Sequence, residues 1–195
     1  MNYNEKVFSE QFPLIKKFIY HVVYYNELFD LYEKFKMESE FWSNTIDAHI
    51  LQAIILWCMV FGSDKNPTHW KKLTDNNELQ EGFRKKLFRK TGFNQQSWNE
   101  YWENMVSFRN NYAAHKENYD NLIVPLLGKA LNVAYAYDEW VREIRTYEES
   151  GIPVSIYLPE PPFEKSAENL RKSVIPLLEF LLKQTQVYGQ RESNV

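Results

Sequence analysis

Apolar residues recur at helical spacing along most of this chain. Between Phe12 and Lys36 they fall at Ile15, Phe18, Ile19, Val22, Tyr25, Phe29 and Tyr32. That pattern is one face of a long amphipathic helix, either continuous or broken near Asn26. Pro13 suits its first turn. A second helix is predicted from about Phe41 to Phe61, with Ile46, Ile50, Ala53, Ile54, Trp57 and Phe61 as its inner ridge and Gly62 as its stop. Its later half, Ile54 to Phe61, is apolar all round, which marks it as the central helix.

The pattern continues in the same style. Pro67 opens a short helix through Trp70 and Leu73. Asp75 or Asn76 caps a helix from Glu78 to Lys90 that ends at Gly92. Asn94 or Ser97 starts the next, which ends after His115. Pro125 sits in the first turn of another, running through Leu131, Tyr135, Trp140 and Ile144 to Glu149 and closed by Gly151. The segment 152–163 holds Pro153, Pro159, Pro161 and Pro162, so it reads as an extended connector. Ser166 caps a last helix over 166–186, kinked or restarted at Pro176, and residues 189–195 fray. No stretch alternates for long enough to make a strand. The expected fold is all-α, an antiparallel helical bundle of about six or seven helices, in one domain over 1–195.

Composition narrows the picture. A chain of 195 residues can bury a core without disulfides or metals. Aromatic residues make up 16% of it, so Phe, Tyr and Trp should build the core as much as Leu does. The single cysteine, Cys58, lies in the apolar run and reads as a buried thiol in a reducing compartment. The N-terminus has no signal-peptide pattern. The run from Ile46 to Phe61 is short and carries Asp47, His49 and Gln52, so no membrane span is expected, and the cytoplasm is the expected location. A net charge of -3 gives no global attraction to nucleic acid, so any such contact needs a local patch. Lys85, Lys86, Arg89 and Lys90 share one arc opposite Phe83 and Leu87. They are the best local candidates for contacts to an RNA backbone, and otherwise form a solvated face. Phosphate-binding glycine loops and nucleophile motifs are missing. His21, His49 and His69 stand far apart without ligand-pair spacing, so neither metal nor cofactor is expected.

The densest chemistry lies in Ser107-Phe108-Arg109-Asn110-Asn111-Tyr112-Ala113-Ala114-His115. On a helical wheel Trp98, Tyr101, Trp102, Met105, Phe108 and Tyr112 share a face. Arg109 lies on one border of it and His115 on the other, about 120° apart. If that aromatic stripe packed against a second copy, two Arg and two His would meet in one cleft. The residue types suit cleavage of RNA without a metal. A base removes the 2′-hydroxyl proton, the oxygen attacks the adjacent phosphate, and an acid protonates the leaving oxygen. A histidine can do either step. An arginine fork stabilises the charge that builds on phosphorus. Asn110 can hold a phosphate oxygen or orient the imidazole.

This pattern resembles the HEPN superfamily (higher eukaryotes and prokaryotes nucleotide-binding domains), whose signature is an Arg, often followed by Asn, Asp or His, then a His after four to six residues. Arg109-Asn110 and His115 match it, the small residues Ala113-Ala114 precede the His as is usual there, and the tone is closest to the abortive-infection branch. The resemblance covers helix order over roughly residues 46–144, and residues only in this stretch. It implies a bundle that dimerises through the motif face. The activity implied is that of a metal-independent endoribonuclease in phage defence or a toxin–antitoxin system, with Arg109, Asn110 and His115 as the catalytic residues. A cognate antitoxin or defence partner goes with such a role. Asn111 and Tyr112 would support the site, and Asp47 would supply the polar residue that family members often carry on an earlier helix. The alternative is a catalytically inactive HEPN-like module for dimerisation or for binding RNA or protein.

Overall fold

The computed structural model describes residues 3–36, 39–114, 124–148 and 161–192. Within them lie six α-helices and one 3-10 turn, with no strand among the described residues: α1 Glu5–Phe35, α2 Glu40–Phe61, the 3-10 turn Trp70–Leu73, α3 Asn77–Thr91, α4 Gln95–Ala114, α5 Leu127–Glu148 and α6 Phe163–Glu192. The protein is an all-α bundle.

Helix α1 starts earlier than its periodic stretch suggests. Asn4 caps it, its side chain accepting from Val7 N at 3.2 Å. Phe8 and Phe12 extend the buried face upstream and stack in series on Phe163, at 5.1 and 4.4 Å between centroids. Pro13 therefore lies inside the helix and not in its first turn, and there is no break at Asn26. The helix stops at Lys36, which takes a left-handed conformation with φ 45°.

The central position of α2 follows from its apolar second half. Ala53, Ile54, Trp57, Cys58, Val60 and Phe61 are all buried there. By length and composition α2 could also cross a membrane, and 50% of that apolar window is buried inside the bundle. It ends where Gly62 N donates to Cys58 O at 3.0 Å. Any Cβ at Gly62 would sit 2.4 Å from that carbonyl oxygen, so only glycine fits. Asn76 caps α3, and Gly92 closes it in the left-handed region at φ 73°. Phe83 and Leu87 of α3 are buried on the same side of the helix. Phe83 packs against Phe61, Tyr137 and Trp140, and the Trp140 indole donates to Leu79 O at 2.7 Å.

Both later helix starts differ from expectation. Pro125 precedes α5 by two residues and is not in its first turn. Helix α6 begins at Phe163, three residues before Ser166, because its cap comes from another helix. The buried Asp138 of α5 accepts from Phe163 N at 2.8 Å and from Arg142 Nε at 2.9 Å. A cap supplied from 25 residues upstream leaves no local sequence signal. Helix α6 continues through Pro176 to Glu192. Its first half lies on α1, where Arg171 pairs with Glu27 at 2.5 Å. A smaller cluster of Leu28, Leu31, Trp42 and Ile46 closes the far end of the α1–α2 pair against Leu178. The segments 149–160 and 193–195, including Gly151, most of the proline-rich connector and the last tail residues, lie outside the described residues.

Candidate functional site

Helix α4 opens with a reciprocal cap. Ser97 N donates to Asn94 Oδ1, and Asn94 N donates to Ser97 Oγ, both at 2.9 Å. The two residues that competed for the cap thus share it. From there the helix delivers its aromatic stripe onto α2 of the same chain. Trp57 meets Trp98 and Tyr101, at 6.1 and 6.2 Å between centroids. The Trp102 indole donates to Phe61 O at 2.9 Å and to Gly62 O at 3.1 Å. Met105 and Phe108 are buried. The stripe is therefore core, and the outward surface of α4 is the polar side with Glu103, Asn104, Ser107, Asn110 and Asn111.

Arg109 stands at the border between those two sides, half-buried. Its Nε and Nη2 donate to Asn110 Oδ1 at 3.1 and 2.7 Å. The fork grips its neighbour's amide, which fixes the guanidinium and spends two of its five N–H donors. Its charge also reaches Cys58 on α2. Burial pushes that thiol up to about 12, and the guanidinium only partly opposes the shift. Cys58 is therefore an inert thiol in the core. Asn111 turns the other way and donates to Ser107 Oγ at 3.2 Å. His115 lies outside the described residues.

Tyr112 and Asp47, far apart in sequence, line one cavity of about 270 Å³. Its other walls are Tyr25, Phe29, Ile46, Ile50, Phe108 and Val124. Two stacked aromatic pairs form much of it: Tyr25 on Phe29 at 5.8 Å and Phe108 on Tyr112 at 5.0 Å. Each pair is an i, i+4 neighbour on its helix, a spacing legible in the sequence and not recognised there as a cavity wall. Asp47 is the one carboxylate in the lining. Partial burial raises its pKa above the usual carboxylate range. The Tyr25 hydroxyl is raised as well, first by burial and then by the Asp47 charge. Such a lining offers a flat ring aromatic surface and one strong acceptor.

The basic arc of α3 is largely paired. Lys86 meets Glu143 at 2.5 Å, Arg89 meets Glu139 at 3.2 Å, and Lys90 meets Glu139 at 2.5 Å and Glu164 at 3.2 Å. Burial would lower the pKa of Lys90, but the two glutamates outweigh it and raise it. Lys85 is exposed and has no ion pair among the described residues.

The structure also joins residues that the sequence leaves apart. His21 of α1 and His49 of α2 meet with their Nδ1 atoms 2.9 Å apart. His69 is buried. Its Nδ1 accepts from Lys71 N at 3.4 Å and its Nε2 faces Asp64 at 3.2 Å. No group of three or more His, Cys, Asp or Glu suited to a metal occurs among the described residues. No protein-family model matches the chain, and no curated protein or solved structure shows significant similarity to it.

Proposed function

We propose that this protein is a metal-independent endoribonuclease of the HEPN type, acting as a dimer on single-stranded RNA in phage defence or a toxin–antitoxin pair. The observation that carries this is the gripped Arg109–Asn110 pair on a core helix, six residues before His115 in the sequence. A guanidinium held by its neighbour loses little entropy on meeting a phosphate. It can then stabilise the charge that develops as the 2′-hydroxyl attacks phosphorus. His115 is the general acid or base, and a second copy's His115 would supply the complementary role. Asn110 sets the arginine's angle. The aromatic cavity with Asp47 and Tyr112 opens beside Phe108, one residue from Arg109, and suits a splayed base from the same strand.

The decisive experiment is cleavage of single-stranded RNA in excess chelator. Wild-type protein cuts, leaving a 2′,3′-cyclic phosphate. His115→Ala and Arg109→Ala lose at least about a hundredfold in rate, as expected for one acid–base or charge-stabilising group, and both retain helical circular dichroism. Cleavage unchanged in His115→Ala would overturn the assignment.

One observation favours a second reading, a catalytically inactive module that binds a protein partner. Three of the four cations on the α3 arc are already neutralised by Glu139, Glu143 and Glu164, in a chain of net charge -3. Absence of both RNA cleavage and RNA binding by the wild type would select it.

A further inference from the structure

We infer that His21 and His49 form a two-imidazole chelate for a divalent transition-metal ion, copper(II) or nickel(II) in preference to zinc, at the seam between α1 and α2. The inference starts from geometry. The two Nδ1 atoms are 2.9 Å apart, with the rings tilted by 47° and their centroids 5.1 Å apart. With metal–nitrogen bonds of about 2.0 Å, that separation subtends close to a right angle at an ion bound to both, and each ring swings from its head-on contact to aim its lone pair at the ion. Adjacent positions of a square-planar or tetragonal ion need this angle, whereas a tetrahedral ion would need the nitrogens about 3.3 Å apart.

The seam suits a cation of this class. Both rings are half-buried, so the pair is held by two packed helices and still meets solvent. Burial keeps both imidazoles on the neutral side, and Lys17 beside His21 adds to the effect. Neutral imidazole is the ligand form, so little proton competition has to be overcome near pH 7. Tyr24 packs edge-on to His21 and tilted against His49, at 6.5 and 5.2 Å, and limits how far either ring can turn away. In the metal-free contact one Nδ1–H donates to the other Nδ1. On metal binding that proton leaves Nδ1 and the donating ring adopts its Nε2–H tautomer, so both Nδ1 lone pairs are free for the ion, which sits off the line between the nitrogens. No third His, Cys, Asp or Glu joins the pair among the described residues, so water or an external donor fills the other positions. The site does not use the Arg109–His115 stretch and does not depend on ribonuclease activity. Binding would fasten α1 to α2, the two helices that supply Tyr25 and Asp47 to the cavity.

The test is calorimetric titration of the full chain with copper(II), nickel(II) and zinc(II), with electron paramagnetic resonance of the copper form. One copper binds per chain, tightest of the three, with an axial spectrum split by two nitrogens. His21→Ala and His49→Ala each weaken binding by about tenfold or more, because the second ligand's high local concentration is lost. The double variant returns copper to weak, non-stoichiometric binding. Equal affinity in wild type and double variant, fewer than two nitrogens in the wild-type spectrum, or zinc binding tighter than copper would overturn the assignment. The wild-type spectrum decides even if a variant fails to fold.

Discussion

Tyr137→Phe tests a fully buried polar contact in the bundle. Gln11 and Tyr137 are each 0% exposed. Gln11 uses every strong group it has. Its Nε2 donates to Thr68 O at 3.2 Å and to His69 O at 2.8 Å, while its Oε1 accepts from the Tyr137 hydroxyl at 2.5 Å. The network ties α1, α5 and the loop before the 3-10 turn together where no water reaches. Phenylalanine keeps the ring's packing and deletes one donor, stranding the Gln11 oxygen. A stranded buried acceptor costs about 1 to 3 kcal/mol, which at this chain length lowers Tm by roughly 2 to 12 °C. Gln11→Met strands more: the Tyr137 hydroxyl and the Thr68 carbonyl, for about 2 to 6 kcal/mol at the same rate per group, while His69 O keeps its bond from Lys72 N. The double variant strands only the Thr68 carbonyl, so its loss should fall short of the sum of the singles by about 1 kcal/mol or more. Urea unfolding of all four proteins, with m-values compared, measures this. A Tyr137→Phe protein within about 0.5 kcal/mol of wild type, or strict additivity in the double variant, would refute the accounting.

Gly62→Ala should cost at least about 2 kcal/mol, because the new Cβ meets a helix carbonyl and the Trp102 clasp must shift; thermal unfolding reads it directly. Acid sensitivity should begin early. Burial holds His69 near a pKa of about 4, against the partial help of Asp64, so between its unfolded value near 6.5 and that point the unfolded chain binds the extra proton. Stability is therefore complete above pH 6.5 and falls toward pH 4, by on the order of 3 kcal/mol, a slope that His69→Gln should flatten in unfolding curves taken across that range. Glu139→Gln with Glu143→Gln frees Lys86 and Arg89 and relieves Lys90, so affinity for single-stranded RNA should rise with a steeper salt dependence in fluorescence anisotropy. Unchanged affinity would show that the α3 arc lies away from any RNA path.

The fold was legible where one helix speaks for itself. The ridge of α2, the Asn76 cap and the Gly92 stop of α3, and the Asn94–Ser97 start of α4 all follow from local rules of spacing and capping. What escaped was decided between elements. Asp138 starts α6 from a different helix, and Phe8 and Phe12 carry α1 upstream because Phe163 completes their stack. The candidate site divides in the same way. Arg109, Asn110 and His115 announce themselves by residue type in one short stretch. The cavity that joins Asp47 to Tyr112, and the His21–His49 contact, exist only because α1, α2 and α4 lie side by side. No pairwise spacing in the sequence encodes either.

Packing also decides which surface a second copy could use. The α4 stripe is spent on α2: Met105 is 0% exposed and Phe108 3%. It cannot be core and dimer interface at once without opening the bundle. For a dimer that brings two Arg109–His115 stretches together, the surface α4 leaves exposed is its polar side, around Asn104, Ser107 and Asn110. The two surfaces separate by experiment. Met105→Ala should cost about 2 to 5 kcal/mol of folding stability, with dimerisation affected only as far as the fold is. Asn104→Arg with Ser107→Arg, both exposed, should leave Tm nearly unchanged and place like charges face to face across a twofold axis. Sedimentation velocity at micromolar concentration would then show dimer in the wild type and monomer in the double-arginine variant. A dimer untouched by the two arginines would move the interface off α4, and a wild-type monomer would remove the shared site on which the ribonuclease assignment depends.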